Sequence, residues 1–334
     1  MIEDISVIGA DGTSPYRNIA LEECLLHDVA PGQCILYLWQ NQRTVVIGRN
    51  QNARDECDVA ALEADGGHLA RRLSGGGAVY HDLGNLNFTF LVHTADFDVS
   101  SQTETILRAV RRVGVDAERT GRNDLTADGR KFSGHAYYHS GDKSYHHGTL
   151  MVAVDTEPLS RYLRVSPLKL RDKGVRSVRS RVCNLCDLVP GLSVEILATA
   201  LREAFEEVHG RHAEELRVAD VDEDRLRAAT ARFASRAWLD KDGRSFDTSH
   251  EAHFGWGMAR LELAETDGTI TRAALWSDGL DADELDAAPR ALIGVPIEAA
   301  SITEALVRDT GMSLRMAEDL AGLATHVEED DHVL

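Results

Sequence analysis

The strongest constraint on this chain is a series of short apolar stretches separated by two-residue turns. Leu125 and the pair Lys131-Phe132 flank Asp128-Gly129, and Gly141-Asp142 separates residues 135–139 from residues 145–154. Asp-Gly suits the tightest hairpin turn, whose two central residues both need positive φ. Strands joined that closely run antiparallel. Residues 34–39, 44–48, 68–73 and 86–92 read as further strands, and residues 18–26, 59–64, 103–113 and 194–208 have helical spacing. The fold class expected is α+β, a mixed and mostly antiparallel sheet with helices, rather than an alternating parallel fold.

Between about residues 218 and 247 the chain becomes rich in Asp, Arg and Ala, and a new hairpin around Asp267-Gly268 then leads into helices within residues 282–326. This places a first domain at residues 1–245 and a smaller α+β domain at residues 248–334. No apolar stretch approaches the roughly 18 residues of a membrane span. Met1-Ile2-Glu3-Asp4 carries acid where a secretory signal carries Lys or Arg, so the cytoplasm is the expected location. Five cysteines, an odd number, fit a reducing compartment, and Cys183 and Cys186 read as small buried residues rather than metal ligands. A net charge of -19 argues against nucleic acid or an anionic membrane as partner.

Gly75, Gly76 and Gly77, preceded by Arg71-Arg72 and Ser74, connect the strands read at residues 68–73 and 86–92. Such a loop can aim amide N–H groups at an anion, and guanidinium groups match carboxylate and phosphate; a plain strand connection is equally open. Neither of the two commonest phosphate-loop patterns is present. Lys131, just past a turn, is either a placed point charge or an exposed hairpin lysine. His146 and His147 are neighbours on a strand, so only one can enter any given pocket. Residues 161–181 hold eight basic residues against the single acid Asp172, and read as a mobile, positively charged loop able to meet a phosphate or an acidic partner.

In order along the chain, seven blocks resemble the lipoate-protein ligase A family: residues 18–24 (Asn18 to Cys24), 44–52 (with Gly48-Arg49-Asn50-Gln51-Asn52), 71–85 (Arg71 through Asp82, then Leu83-Gly84-Asn85), 121–125, 130–134 (Arg130-Lys131-Phe132-Ser133-Gly134), 146–150 (His146-His147-Gly148-Thr149-Leu150) and 177–182. The resemblance covers nearly the whole chain, and the C-terminal region is similar to that family's accessory domain. It implies a class II synthetase-like fold and a reaction in two steps, in which lipoate and ATP with Mg2+ give lipoyl-adenylate and an acceptor lysine then takes the acyl group. The implied partners are the lipoyl acceptor domains of 2-oxoacid dehydrogenase E2 subunits or the glycine cleavage H protein, with the enzyme a monomer. By the same resemblance Lys131 contacts the lipoyl carboxyl and the α-phosphate without being acylated. Arg72 and the main chain of Gly77, Ala78, Val79 and Tyr80 hold the nucleotide, under a loop carrying Lys173, Gly174 and Arg179. Glu22, Trp39, His81 and His147, with Arg71, Ser74 and Gly76, meet the lipoate. Asn123 and Asp124 are candidate partners of Lys131 or of the metal.

The chain departs from the family pattern at Tyr16, where tryptophan is usual, at His135, where a small residue is usual, and at Cys183 and Cys186, where hydroxyl residues are common. Two rival readings remain: an octanoyl or lipoyl transferase acting through a cysteine thioester, and a non-catalytic lipoate-binding protein.

Overall fold

Asp128-Gly129 and Asp267-Gly268 do take positive φ at both central residues, and each closes an antiparallel hairpin in the computed structural model, which describes residues 2–120, 124–164, 182–239 and 246–325. The chain divides into two units. The larger comprises Met1–Ile47, Ala53–Arg72 and Ala78–Leu239; the smaller comprises Gly48–Asn52, Leu73–Gly77 and Asp240–Leu334.

The larger unit runs β1 (Asp4–Gly9), α1 (Pro15–Asp28), β2 (Gln33–Trp39), β3 (Thr44–Ile47), α2 (Ala53–Glu56), α3 (Val59–Ala64), β4 (His68–Arg71), β5 (Val79–His81), β6 (Asn85–His93), α4 (Val99–Arg112), β7 (Ala117–Thr120), β8 (Asp124–Ala127), β9 (Arg130–Ser140), β10 (Lys143–Met151), α5 (Thr156–Tyr162), α6 (Val194–His209), β11 (Glu214–Glu215), α7 (Glu223–Phe233) and α8 (Arg236–Leu239). Eight strands form one sheet in the order β11-β1-β2-β6-β10-β9-β8-β7, parallel only where β1 meets β2 and β11. The fold is thus α+β with a mostly antiparallel sheet, as expected.

Helix α1 packs on one face of this sheet, while α4 and α6 cover the other. Under α4 and α6 lies the main core, with Leu36, Phe88, Phe90, Leu125, Phe132, Leu150, Leu201 and Phe205 among its members. Helix α6 shows why these residues are helical. Ser193 caps its first turn by accepting from the Ile196 amide, Leu197, Leu201 and Phe205 recur at helical spacing on its buried side, and Gly210 ends it at φ 62°.

A second sheet, β4-β3-β5, holds the strands on either side of the glycine-rich segment. That segment therefore leads from β4 into β5, not directly into the strand at residue 86. Three residues are too few for β5 to show a period in the sequence.

The smaller unit contains β12 (Thr248–Phe254), β13 (Gly257–Thr266), β14 (Thr269–Ser277), α9 (Ala282–Ala291), α10 (Ala299–Thr310) and α11 (Leu314–Thr325). Its strands make a three-stranded antiparallel sheet, and Leu261, Leu263, Leu285, Ile302, Leu306 and Leu320 are in its core. The segments Gly48–Asn52 and Leu73–Gly77 are part of this unit. Asn50 accepts from the Ser277 amide at 2.8 Å and donates to the Ala282 carbonyl at 2.8 Å, and Arg49 pairs with Asp286 at 3.0 Å. The Gly76 amide, at φ 88°, donates to the Gly279 carbonyl at 3.2 Å. Among the described residues, no helix is long and apolar enough to cross a membrane.

Phe205 is fully buried and its ring lies 5.8 Å from that of Phe90. Phe205→Ala should destabilise the larger unit by about 3–5 kcal/mol; an unchanged urea midpoint would show that α6 does not anchor this core.

Candidate active site

Strand pairing decides which residues share a surface, because paired residues point to the same side of a sheet and successive residues alternate. In the β8–β9 ladder Asp124 pairs with Gly134 and Leu125 with Ser133, but Thr126 pairs with Lys131. Phe132 is the extra residue of a β-bulge. The bulge resets the alternation, so Lys131 and Gly134, three apart, share a face with Asp124 and Thr126, while Ser133 faces the core beside Leu125.

Following the register across the sheet, Ala136 pairs with His147, His147 with Thr89, and Thr89 with Tyr37. Asn87 pairs with both Thr149 and Trp39. Lys131, Asp124, Gly134, His147, Thr149, Thr89, Asn87, Tyr37 and Trp39 therefore all lie on the face covered by α1. From Gly134 to Trp39 is three strand spacings, about 14 Å. Lys131 and Asp124 pair at 2.7 Å, both half-buried. A Cβ on residue 134 would stand only 2.9 Å from Lys131 Nζ, so the glycine is where the lysine lies across the strand.

Beneath α1 the polar groups form a chain. Trp39 Nε1 donates to Thr89 Oγ1 at 3.1 Å, and Thr89 Oγ1 donates to Glu22 Oε1 at 2.7 Å. His147 Nδ1 donates to the same oxygen at 2.8 Å. Glu22 has no exposed surface. Such a carboxylate in an apolar setting persists only with donors at hand. His81 belongs to a second chain, in which Asn18 Nδ2 donates to Asn41 Oδ1 and Asn41 Nδ2 donates to His81 Nδ1, at 3.0 and 3.2 Å. The His81 ring meets Trp39 edge-on at 6.2 Å. Among the described residues Glu22 Oε2 and His81 Nε2 are buried without a hydrogen-bond partner, an arrangement that costs about 1–3 kcal/mol per group unless a bound molecule supplies one.

Burial, with the nearby Arg72 charge, pushes the His81 pKa down to about 3. Burial also lowers Arg72 to about 10, against the opposing pull of Tyr145 and Glu22, so this guanidinium stays charged in neutral water. Arg72 Nη1 donates to the Val46 carbonyl at 3.2 Å. Arg71, the preceding residue, points elsewhere, with Nε and Nη2 donating to the carbonyls of Trp238 and Leu239 at 2.9 and 2.7 Å. Tyr80 is buried in β5 against Tyr162, their rings 5.9 Å apart, and Ala78 and Val79 lead into it.

The structure thus brings Glu22, Trp39, His81, His147 and Arg72 together and sets Lys131 with Asp124 on the same sheet face. Ser74, Gly76 and Gly77 belong to the smaller unit. Asn123, Lys173, Gly174 and Arg179 lie outside the described residues. Asp124 is engaged by Lys131, and among the described residues no three His, Cys, Asp or Glu side chains gather as a metal site. Thr89, Asn41 and Asn18 were not expected in the site. For Thr89 a signal existed: in β6, Asn85, Asn87 and Thr89 are polar at every second position of an otherwise apolar strand.

The sheet, its helical cover and the separate α+β unit define a class II synthetase-like ligase fold. Residues 14–206 match the lipoyl protein ligase A/B catalytic domain, and residues 244–314 match the bacterial lipoate protein ligase C-terminus. The fold is shared with P. falciparum LipL1, solved in complex with lipoate, at TM-score 0.84 and 24% identity over 96% of this chain and 99% of that one. A bi-partite lipoate protein ligase from Thermoplasma acidophilum, studied with its E2 lipoyl domain, superposes with TM-score 0.64 and 28% identity over 73% of this chain and 100% of that one. A lipoate-protein ligase A bound with ATP gives 0.62 and 27% over 72% and 98%. The chain belongs to the lipoyl protein ligase A/B family.

Between the ordinary histidine pKa near 6.5 and the native value of about 3, the unfolded chain binds a proton that folded His81 refuses. Stability should therefore fall as the pH drops through that window, by up to about 1.4 kcal/mol per pH unit from this residue. His81→Gln should flatten the dependence of the urea midpoint on pH; an unaltered slope would mean that His81 is not held neutral.

Proposed function

We propose that the protein is an ATP-dependent lipoate-protein ligase that forms lipoyl-adenylate and passes the acyl group to a lysine of a lipoyl domain. The observation that carries this reading is the placement of Lys131, paired to Asp124 across Gly134, on the sheet face that also bears His147 and Trp39 and that α1 covers with Glu22. A fixed ammonium at one end of an acyl-length surface is what activation of a carboxylate requires, since negative charge spreads over carboxyl and phosphate oxygens in the transition state. Trp39, about 14 Å along the sheet and stacked on Tyr37 at 5.9 Å, would bound the far end. The charged Arg72 and the main chain of Ala78, Val79 and Tyr80 would hold the nucleotide. The relatives add support: one was solved with ATP, another was studied with its E2 lipoyl domain.

The donor set favours Mg2+ arriving on the ATP phosphates, because Asp124 is already engaged by Lys131. Lipoyl domains of 2-oxoacid dehydrogenase E2 subunits and the glycine cleavage H protein are the acceptors this reading names, with a monomer working in the cytoplasm. It is favoured over a cysteine transferase by the state of Cys183. Chain pairing brings Cys183 beside Lys131, its amide donating to the Lys131 carbonyl at 2.9 Å, yet the side chain joins the core on the other face. Burial raises the Cys183 thiol, and its sulfur lies 3.6 Å from the Arg130 carbonyl rather than beside a base.

Mixing the chain with ATP, Mg2+, lipoate and a lipoyl domain should add one lipoyl group to the domain, read by mass spectrometry. Lys131→Ala should cut lipoate-dependent ATP–pyrophosphate exchange by about 10²-fold or more. Gly134→Ala, by displacing the lysine, should lower it without changing the melting temperature, and Cys183→Ala should leave ligation intact. A ligation that survives Lys131→Ala, or that is lost in Cys183→Ala while exchange persists, would sink the proposal.

A further inference from the structure

Behind the bulge, on the core face of the sheet, runs a hydrogen-bonded chain that the reaction itself does not use. His146 Nδ1 donates to Gln102 Oε1 at 3.0 Å, which leaves His146 Nε2 as an acceptor. His135 Nδ1 donates to that nitrogen at 2.9 Å, and Ser133 Oγ donates to His135 Nε2 at 3.0 Å. Each tautomer follows from the one before it. Gln102, on α4, His146, on β10, and His135 and Ser133, on β9, are all buried. The two imidazoles lie 4.7 Å apart, and Phe88 meets both rings edge-on at 5.4 and 5.5 Å.

The His135–His146 link holds only while His146 is neutral, because a proton on its Nε2 would put a donor against the His135 Nδ1–H, whereas the Ser133 hydroxyl can donate or accept. Burial keeps both imidazoles neutral, pushing His135 down to about 3 and His146 well below its ordinary value. What a chain of fixed donors and acceptors can do is orient.

Ser133 directly follows the bulged residue Phe132, and the bulge alone turns Lys131 toward the α1 face. An unpinned bulge can migrate along its strand, and a one-residue slip would send every side chain beyond it to the opposite face. We infer that His135 is a positioning residue for Lys131: with His146 and Gln102 it anchors Ser133 to the core face and so locks the bulge in register. This rests on the adenylation role of Lys131.

The test compares three variants of the full-length protein. His135→Gln can still donate to His146 and accept from Ser133, whereas His135→Leu can do neither, and Ser133→Ala removes only the last link. In His135→Leu and Ser133→Ala, kcat for lipoate-dependent exchange should fall about tenfold or more, with KM for lipoate within about threefold of wild type. His135→Gln should stay within about threefold of wild-type kcat. A second readout needs no activity: acetylation of Lys131 by an amine-reactive ester, followed by peptide mass spectrometry. It should speed up several-fold in His135→Leu and Ser133→Ala and remain near wild type in His135→Gln.

Wild type without lipoate-dependent exchange would defeat the adenylation reading, while the Lys131 acetylation rates would still decide the positioning role. If His135→Leu does not fold, Ser133→Ala carries both readouts. Wild-type kcat and Lys131 reactivity in Ser133→Ala, or equal losses in His135→Gln and His135→Leu, would overturn the inference.

Discussion

A β-strand shows alternate residues to opposite faces, and much of the site rests on one break in that alternation. The extra residue Phe132 shifts the parity of β9 between Lys131 and Gly134. Without it Lys131 would share the face of Ser133 and His135, where the neighbours are Leu125, Phe88 and the helices α4 and α6. A lysine there would bring an unpaired charge into the core, which is far costlier than leaving it half-exposed beside Asp124. The bulge is thus where local strand geometry, core packing and chemistry meet.

The same logic separates the two adjacent histidines. His146 points to the α4 side and finds Gln102 and His135; His147 points to the α1 side and finds Glu22. Each face buries a polar chain in apolar surroundings, built from donors and acceptors that the paired strands hold in place. Among the described residues, Glu22 Oε2 and His81 Nε2 are buried polar atoms that these chains leave without a partner. In the proposed site, these are the atoms that a ligand would satisfy.

Much of this was legible in the chain. The Asp128-Gly129 turn announced the β8–β9 hairpin, the spacing of Leu197, Leu201 and Phe205 announced α6, and the adjacency of His146 and His147 already required opposite faces. The ordered blocks around Arg72, Lys131 and His147 pointed to the family that residues 14–206 match. Strand β5 was not legible, because three residues carry no period; Thr89 was legible only through the alternation of Asn85, Asn87 and Thr89 along β6. The bulge was hidden as well, since it is a property of two paired strands rather than of either one.

By itself, the sequence determined the local elements, the antiparallel meander and the family, because turn chemistry and side-chain periodicity act over a few residues. Only the tertiary structure decided that Lys131 faces α1, that Asp124 stands 2.7 Å from it, that Arg71 and Arg72 serve different surroundings, and that His135 meets His146. Those outcomes depend on register between strands and on burial against distant helices, where hydrogen-bond pairing and desolvation are settled by residues far apart in the chain.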